Sequence, residues 1–287
     1  MKIAIIGLGE VGRCYAHALH AGGHDLELCD GRPSQASQEL AAGWRLEVHN
    51  AAGAWLRDCD WILSCVTGAH ALHVAEQCLA QARQGTTLCD LTTANPDAKR
   101  AAARRASEAK VRYVDVAIMG AISLSLERTP LLAAGEGATE LASLLTPLGG
   151  RIQVVEGAAG DAIALKILRS VFTKGMEALS VELLMAAEKQ GVRESLYEQL
   201  RDIDETPLRN FIDMLVRTHV IHARRRAHEV HDAAAELAKH GLPSRVLPGV
   251  ESRFARTIED LELDAPAQAE PDVDQALAWL LGRAASH

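Results

Sequence analysis

Three groups of side chains in this 287-residue chain have types and spacings that could do chemistry. The first is Gly7-Leu8-Gly9-Glu10-Val11-Gly12, a G-x-G-x-x-G run, with Asp30 following 18 positions after Gly12. Glycines so spaced bare the N–H groups of a helix N-terminus, where they and the helix dipole hold a pyrophosphate, and an acid roughly 20 residues on accepts ribose hydroxyls. The second is Lys166 with Ser170, Thr173 and Glu177. At 100° per residue all three fall within about 40° of the lysine on one helix face. The chemistry such a seam offers is proton transfer, provided that burial pulls the lysine pKa toward neutrality; otherwise it is a solvated stripe. The third is a basic cluster of His219, His222, Arg224, Arg225, Arg226, His228 and His231. It reads either as a solvated helix face or as a holder of a substrate carboxylate or phosphate, for which arginine offers two parallel donors.

The elements that must position these groups follow from the patterning. Lys2 to Ile6 is a short apolar run, a buried parallel strand that feeds the glycines and a helix over 10–21. A second strand over 25–29 ends at Asp30, and further strands are predicted over 45–48, 61–66, 86–89, 111–118, 131–134 and 151–155, with helices between them. Ligands of an open parallel sheet bind beyond the carboxyl ends of its strands, which puts Cys65, Val66 and Thr67 beside the dinucleotide. The exit of the fifth strand adds the hydroxyl of Thr93 before a helix that Asn95 caps and Pro96 opens. From about Gly160 onward strand signals stop, and a helix of about 30 residues runs to Gln190, closed by Gly191. The fold expected is therefore an α/β Rossmann dinucleotide-binding domain over residues 1–156, followed by an all-α domain over 157–287.

Composition bounds the partners. A formal charge of −8 argues against nucleic acid or an anionic membrane as the main partner, so any anion site must be local. No apolar run approaches the roughly 18 residues of a membrane span, and a first strand beginning at Lys2 leaves no room for a signal peptide. A cytoplasmic location is expected. All six cysteines lie in the first ninety residues without a C-x-x-C pair, so neither disulfide nor metal is expected. For the cofactor, Asp30 favours NAD because it would repel a 2′-phosphate, whereas Arg32 just beyond it is placed to accept NADP.

Three stretches together resemble the β-hydroxyacid dehydrogenase family, which includes 3-hydroxyisobutyrate and 6-phosphogluconate dehydrogenases. They are the opening glycine run, Asp90-Leu-Thr-Thr-Ala-Asn-Pro96, which is similar to the family's D-x-S-T-x-x-P, and Gly157 to Lys166, which is similar to its G-x-x-G-x-x-x-x-x-K. The resemblance implies that Lys166 is the catalytic lysine, acting as general acid or base while hydride passes between a β-hydroxyacid and nicotinamide. It also implies a substrate loop containing Met119, Gly120, Ala121 and Ser123, where the usual D-A-P-V-S-G-G reads Asp115-Val-Ala-Ile-Met-Gly-Ala121. Ser170 stands where the family has asparagine, with Thr173 beyond it, and His228-Glu229 where many members carry lysine-aspartate. Phe172-Thr-Lys-Gly175 resembles a subgroup similar to NAD-binding 6-phosphogluconate dehydrogenase with a C-terminal domain of unknown function. A homodimer built on the long helix is so implied, and from the basic cluster an anionic small-molecule substrate is expected, with Arg225 and His228 at its charged group. Two other readings stand beside this one: an imine or ketone reductase on the same scaffold, and a cofactor-binding sensor without turnover.

Overall fold

The computed structural model describes residues 1–284, which divide into two compact units, 1–171 and 172–284. The first unit is built on one sheet of eight strands: β1 (Lys2–Ile6), β2 (Asp25–Cys29), β3 (Val48–His49), β4 (Trp61–Ser64), β5 (Thr87–Asp90), β6 (Arg112–Ile118), β7 (Pro130–Ala134) and β8 (Arg151–Val154). Their order is β3-β2-β1-β4-β5-β6-β7-β8. The first six are mutually parallel; β7 runs antiparallel to β6, and β8 parallel to β7. Helices α1 (Glu10–Ala21), α2 (Gln35–Trp44), α3 (Ala71–Leu79), α4 (Pro96–Glu108), α5 (Ile122–Ser125) and α6 (Ala138–Leu145) connect the strands. Helix α7 (Asp161–Gln190) begins in the first unit and ends in the second.

Alternation along the strands divides the core in two, because successive side chains of a strand leave opposite faces. Ile3, Ile5, Leu28, Leu63 and Val114 pack on one face with Tyr15 and Leu19 of α1 and Leu141 of α6. Ala4, Ile6, Ile62 and Leu88 pack on the other with Ala75 and Cys78 of α3 and Ala102 and Ala106 of α4. A sheet buried on both faces in this way explains why its central strands are continuously apolar.

The expected elements form with shifted ends. The third strand lies at Val48–His49 rather than over 45–48, because Arg45 closes α2 in the left-handed conformation (φ 58°) and Ala41 accepts the N–H of Leu46. Between β3 and β4 the chain forms a short 3-10 helix over Ala54–Asp58, and α3 starts only after another such turn at Gly68–His70. Part of the loop over 119–123 is taken up by the one-turn helix α5.

The second unit is helical throughout its described residues. It comprises the end of α7, then α8 (Arg193–Gln199), α9 (Arg201–Asp204), α10 (Leu208–Lys239), α11 (Leu247–Leu263) and α12 (Val273–Ala284). Helix α10 buries Val220 and Ala223, α11 buries Thr257 and Asp260, and His219 shares a hydrogen bond of 2.8 Å with Thr257. Both oxygens of Glu182 on α7 are satisfied at the start of α11, by the Ser244 hydroxyl (2.5 Å) and the Arg245 N–H (2.7 Å).

Candidate active site

The carboxyl ends of β1, β2 and β4 open onto one cleft of about 710 Å³. Gly7, Gly9, Asp30, Arg32, Cys65, Val66 and Thr67 line it, so seven of the residues expected to hold a dinucleotide are brought together. The local reasons are steric. Gly7 takes φ +88°, a conformation that a side chain disfavours, and a Cβ there would stand 3.0 Å from the Cys65 carbonyl. A Cβ on Gly12 would fall 1.9 Å from the Gly7 carbonyl oxygen, so the glycine is what lets α1 lie against the turn leaving β1. At Gly9 a Cβ would meet nothing within 4 Å and would point into open space. Gly9 is also the N-cap of α1 and offers no capping side chain, which leaves the first-turn N–H groups available to an anion. This open cradle, with a carboxylate at its rim, fits a dinucleotide.

Asp30 ties the cradle to β2. Its carboxylate accepts the N–H of Leu8 (2.7 Å) and of Arg32 (2.8 Å), and each oxygen keeps a lone pair for a further donor. Leu8 itself is buried, and its carbonyl accepts from Arg13 and from Ser37, both at 2.9 Å. Glu10 is exposed at the start of α1, Val11 is half-buried, and Gly12 is buried beneath the loop. Thr93 is exposed on the neighbouring loop, against which Gly68 packs so closely that a Cβ would stand 2.9 Å from its carbonyl carbon. Sequence reasoning did not anticipate Asn50, His70 and Gln77 in the cleft wall. The rule about strand exits would have found Asn50 had β3 been placed correctly. His70 arrives through the turn before α3, where its Nδ1 lies 2.8 Å from the Thr67 hydroxyl.

Lys166 stands on the second turn of α7 and is half-buried. The other members of its seam do not engage it. The Ser170 hydroxyl donates to the Lys166 carbonyl at 2.9 Å, Glu177 pairs with Lys174 at 2.5 Å, and Thr173 is half-buried one turn on. Among the described residues the Lys166 amine has no hydrogen-bond or ion-pair partner. Burial, and secondarily the positive charge of Lys99, hold its pKa below the ordinary lysine value.

Lys99 marks where on the sheet this happens. It projects from α4, and its ammonium group donates to the carbonyls of Asp90, the last residue of β5 (2.9 Å), and of Val116 in β6 (3.1 Å). β5 is the neighbour of β4, whose exit lines the cleft. In the loop after β6, Met119 is half-buried and Gly120, Ala121 and Ser123 are exposed. Met119 lines a separate groove of about 500 Å³ with Arg151 and Arg169. In the second unit, Arg225 and His228 are exposed on α10, and Arg225 pairs with Glu229 one turn along.

Comparison with known proteins gives the family and the fold. Residues 2–156 match the family described as the NAD binding domain of 6-phosphogluconate dehydrogenase, and residues 187–257 match a domain of unknown function. An uncharacterized 28.5 kDa protein of Methanothermus fervidus is 26% identical over 257 residues, covering 88% of this chain and 98% of that one. A solved conserved protein of unknown function, described as similar in structure to 3-hydroxyacid dehydrogenases, is 28% identical with a TM-score of 0.64 over 92% of this chain and 98% of its own. An imine reductase from Aspergillus terreus, solved with NADPH4 and dibenz[c,e]azepine, shares the fold at a TM-score of 0.76 over 97% of this chain and 98% of its own, at 17% identity.

Proposed function

Because the chain belongs to the family of the NAD binding domain of 6-phosphogluconate dehydrogenase, we propose that it is a nicotinamide-dependent oxidoreductase acting on the CH–OH group of a small β-hydroxyacid or sugar acid, with Lys166 as general acid and base. The observation that carries this reading is the state of Lys166: half-buried, without a partner among the described residues, and held below its usual pKa by burial and a like charge. A structural lysine is paired or solvated, whereas a proton acceptor needs its lone pair free near neutral pH. The nicotinamide, when bound, supplies the hydride chemistry. Gly7, Gly9, Gly12 and the N–H groups of Glu10 and Val11 would hold its pyrophosphate, Asp30 its ribose hydroxyls, and Cys65 to Thr67 with Thr93 the side toward the substrate. Lys166 takes the hydroxyl proton in oxidation and returns it in reduction. Met119, Gly120, Ala121, Ser123 and Ser170 would bound the substrate. NAD is the preferred cofactor in this reading, and the working form is a homodimer.

Lys166→Met tests it, because the variant keeps length and apolar packing while deleting the proton acceptor. In a screen of hydroxy acids and sugar acids by NADH formation, turnover should fall by roughly 10²- to 10⁴-fold, the usual contribution of general acid–base catalysis, with folding and NAD binding retained. Equal turnover in parent and variant sinks the mechanism. NAD binding without turnover on any hydroxyacid would favour the sensor reading instead.

A further inference from the structure

Lys99 is wholly buried, and no other lysine or arginine among the described residues is. It occupies the face of α4 that packs on the sheet, in line with Ala102 and Ala106. A small apolar side chain would serve packing there, and a buried ion pair is weak evidence of a stabilising role. What distinguishes the position is what it connects. Besides the two strand carbonyls, the ammonium lies 2.7 Å from Oδ1 of Asp115, which is itself wholly buried on β6, and 3.7 Å from Asp90. The other oxygen of Asp115 accepts the N–H of Gly160 and the N–H of Ile163, each at 3.0 Å, at the start of α7. Ile163 lies one turn before Lys166. An unbroken series of contacts therefore runs from Lys99 through Asp115 to the turn below Lys166, and the positive charge of Lys99 adds to burial in disfavouring the Lys166 ammonium.

We infer that Lys99 is a positioning residue for Lys166: it holds Asp115 against the first turn of α7, and so fixes where Lys166 stands relative to Lys99. The inference rests on Lys166 being the proton-transfer residue. The charged and titratable groups around Lys99 are Asp90 from β5, Asp115 from β6 and Lys166 from α7. Tyr113 donates to Asp90 at 2.6 Å, and burial together with that carboxylate keeps its hydroxyl protonated. The Cys65 thiol, its pKa raised by burial and then by Asp90, stays neutral. Neither adds a positive charge, so Lys99 is the cation in the set that opposes protonation of Lys166.

The experiment reads Lys166 directly and needs no substrate. The full-length protein is acylated with trace acetic anhydride across pH 6–11, and modification of the Lys166 peptide is quantified by mass spectrometry. In the parent, Lys166 should titrate below the ordinary lysine value of about 10.4. Lys99→Arg, which keeps the charge, should preserve that titration. Lys99→Met and the double variant Lys99→Met/Asp115→Asn should move it upward, so that labelling at pH 8 drops by about threefold or more. Unchanged labelling in either folded variant overturns the inference, even if turnover has fallen. An ordinary titration in the parent overturns the reading of Lys166 itself, so the two failures are distinguishable. If neither methionine variant folds, Asp115→Ala is read by hydrogen exchange: the amides of 160–166 should exchange at least about tenfold faster than in the parent while the sheet amides keep their protection, and unchanged exchange overturns the positioning role.

Discussion

At Lys166 the sign of the pH dependence follows from its surroundings. Burial and Lys99 both disfavour the ammonium form, so the folded pKa lies below the unfolded one. In the oxidation direction, kcat/KM should therefore rise with pH through an inflection below about 10.4, and Lys99→Met should move that inflection upward. For stability, the folded state binds fewer protons than the unfolded state between the two pKa values, so this group's contribution improves as pH rises. Its penalty is complete below the folded pKa and disappears above the unfolded one. Lys166→Met should consequently melt no lower than the parent at pH 7, and a clearly lower midpoint would mean that the ammonium makes a stabilising contact. Asp30 and Arg32 form the other decision at this scale. Asp30 presents its carboxylate at the cleft while bonding two backbone N–H groups, and Arg32 has no ion-pair partner among the described residues. Calorimetric titration should find NAD(H) bound more tightly than NADP(H), with Asp30→Ala narrowing or reversing the preference. Tighter NADP(H) binding by the parent would mean that Arg32 prevails.

The strand-to-helix turn at β1–α1 separates two glycines that a motif treats alike. Gly12 is enclosed by the backbone of the turn, so an added methyl must displace α1. Gly12→Ala should cost about 1 to 3 kcal/mol, as overpacking does, and lower the thermal midpoint. Gly9 has φ −65°, which alanine adopts without strain, and its missing Cβ points into open space. Gly9→Ala should therefore melt with the parent yet bind NAD(H) about tenfold or more weakly, a loss of about 1.4 kcal/mol. If both variants melt alike and bind alike, the cradle is not where the dinucleotide sits. Helix α7 shows a different division of labour. Its first turn is held by Asp115, and Asp161 accepts the Ala158 N–H at 2.8 Å while pairing with Arg100, so the start of the helix that carries Lys166 is fixed from several sides.

Beyond that first turn α7 carries apolar residues on several sides, and the described residues leave many of them exposed. Leu168 is 65% exposed and Val171 70%, and Leu165, Ile167, Met176, Val181 and Met185 are exposed as well. Exposed apolar residues from Leu165 to Met185 of one helix are far from the scattered hydrophobics of an ordinary surface, and in the proposed homodimer they are the association face. Sedimentation should give twice the 30.8 kDa chain mass, and Leu168→Glu with Val171→Glu should return the monomer. A parent sedimenting at the single-chain mass at micromolar concentration would remove the dimer. No helix among the described residues is long and apolar enough to cross a membrane, so the apolar face of α7 is not a span.

The strand runs, the glycine spacing, Asp30 and the long helix were all readable in one dimension, because each is a local pattern: continuous apolar residues for strands buried on both faces, a fixed spacing for the phosphate turn, and a 30-residue helical period with a glycine at its end. The misplaced third strand shows where local pattern weakens, since a two-residue edge strand carries little signal and its start depends on a left-handed Arg45. Direction was also out of reach, because β7 reverses against β6 for reasons of sheet pairing that its apolar sequence does not encode. Most of what now defines the second half of the site came only from tertiary structure. Ser170 and Glu177 share a stripe with Lys166 by helical geometry, but they bond to the backbone and to Lys174, and that choice of partner isolates the amine. Lys99 lies in an alanine-rich helix among Arg100, Arg104 and Arg105, and its own sequence surroundings read as solvent. Only the closure of β5, β6 and the start of α7 around it, joining residues up to 64 positions apart (Lys99 to Ile163), turns it into the buried charge that disfavours the Lys166 ammonium, since chain neighbours cannot supply the desolvation and the partners on which that charge depends.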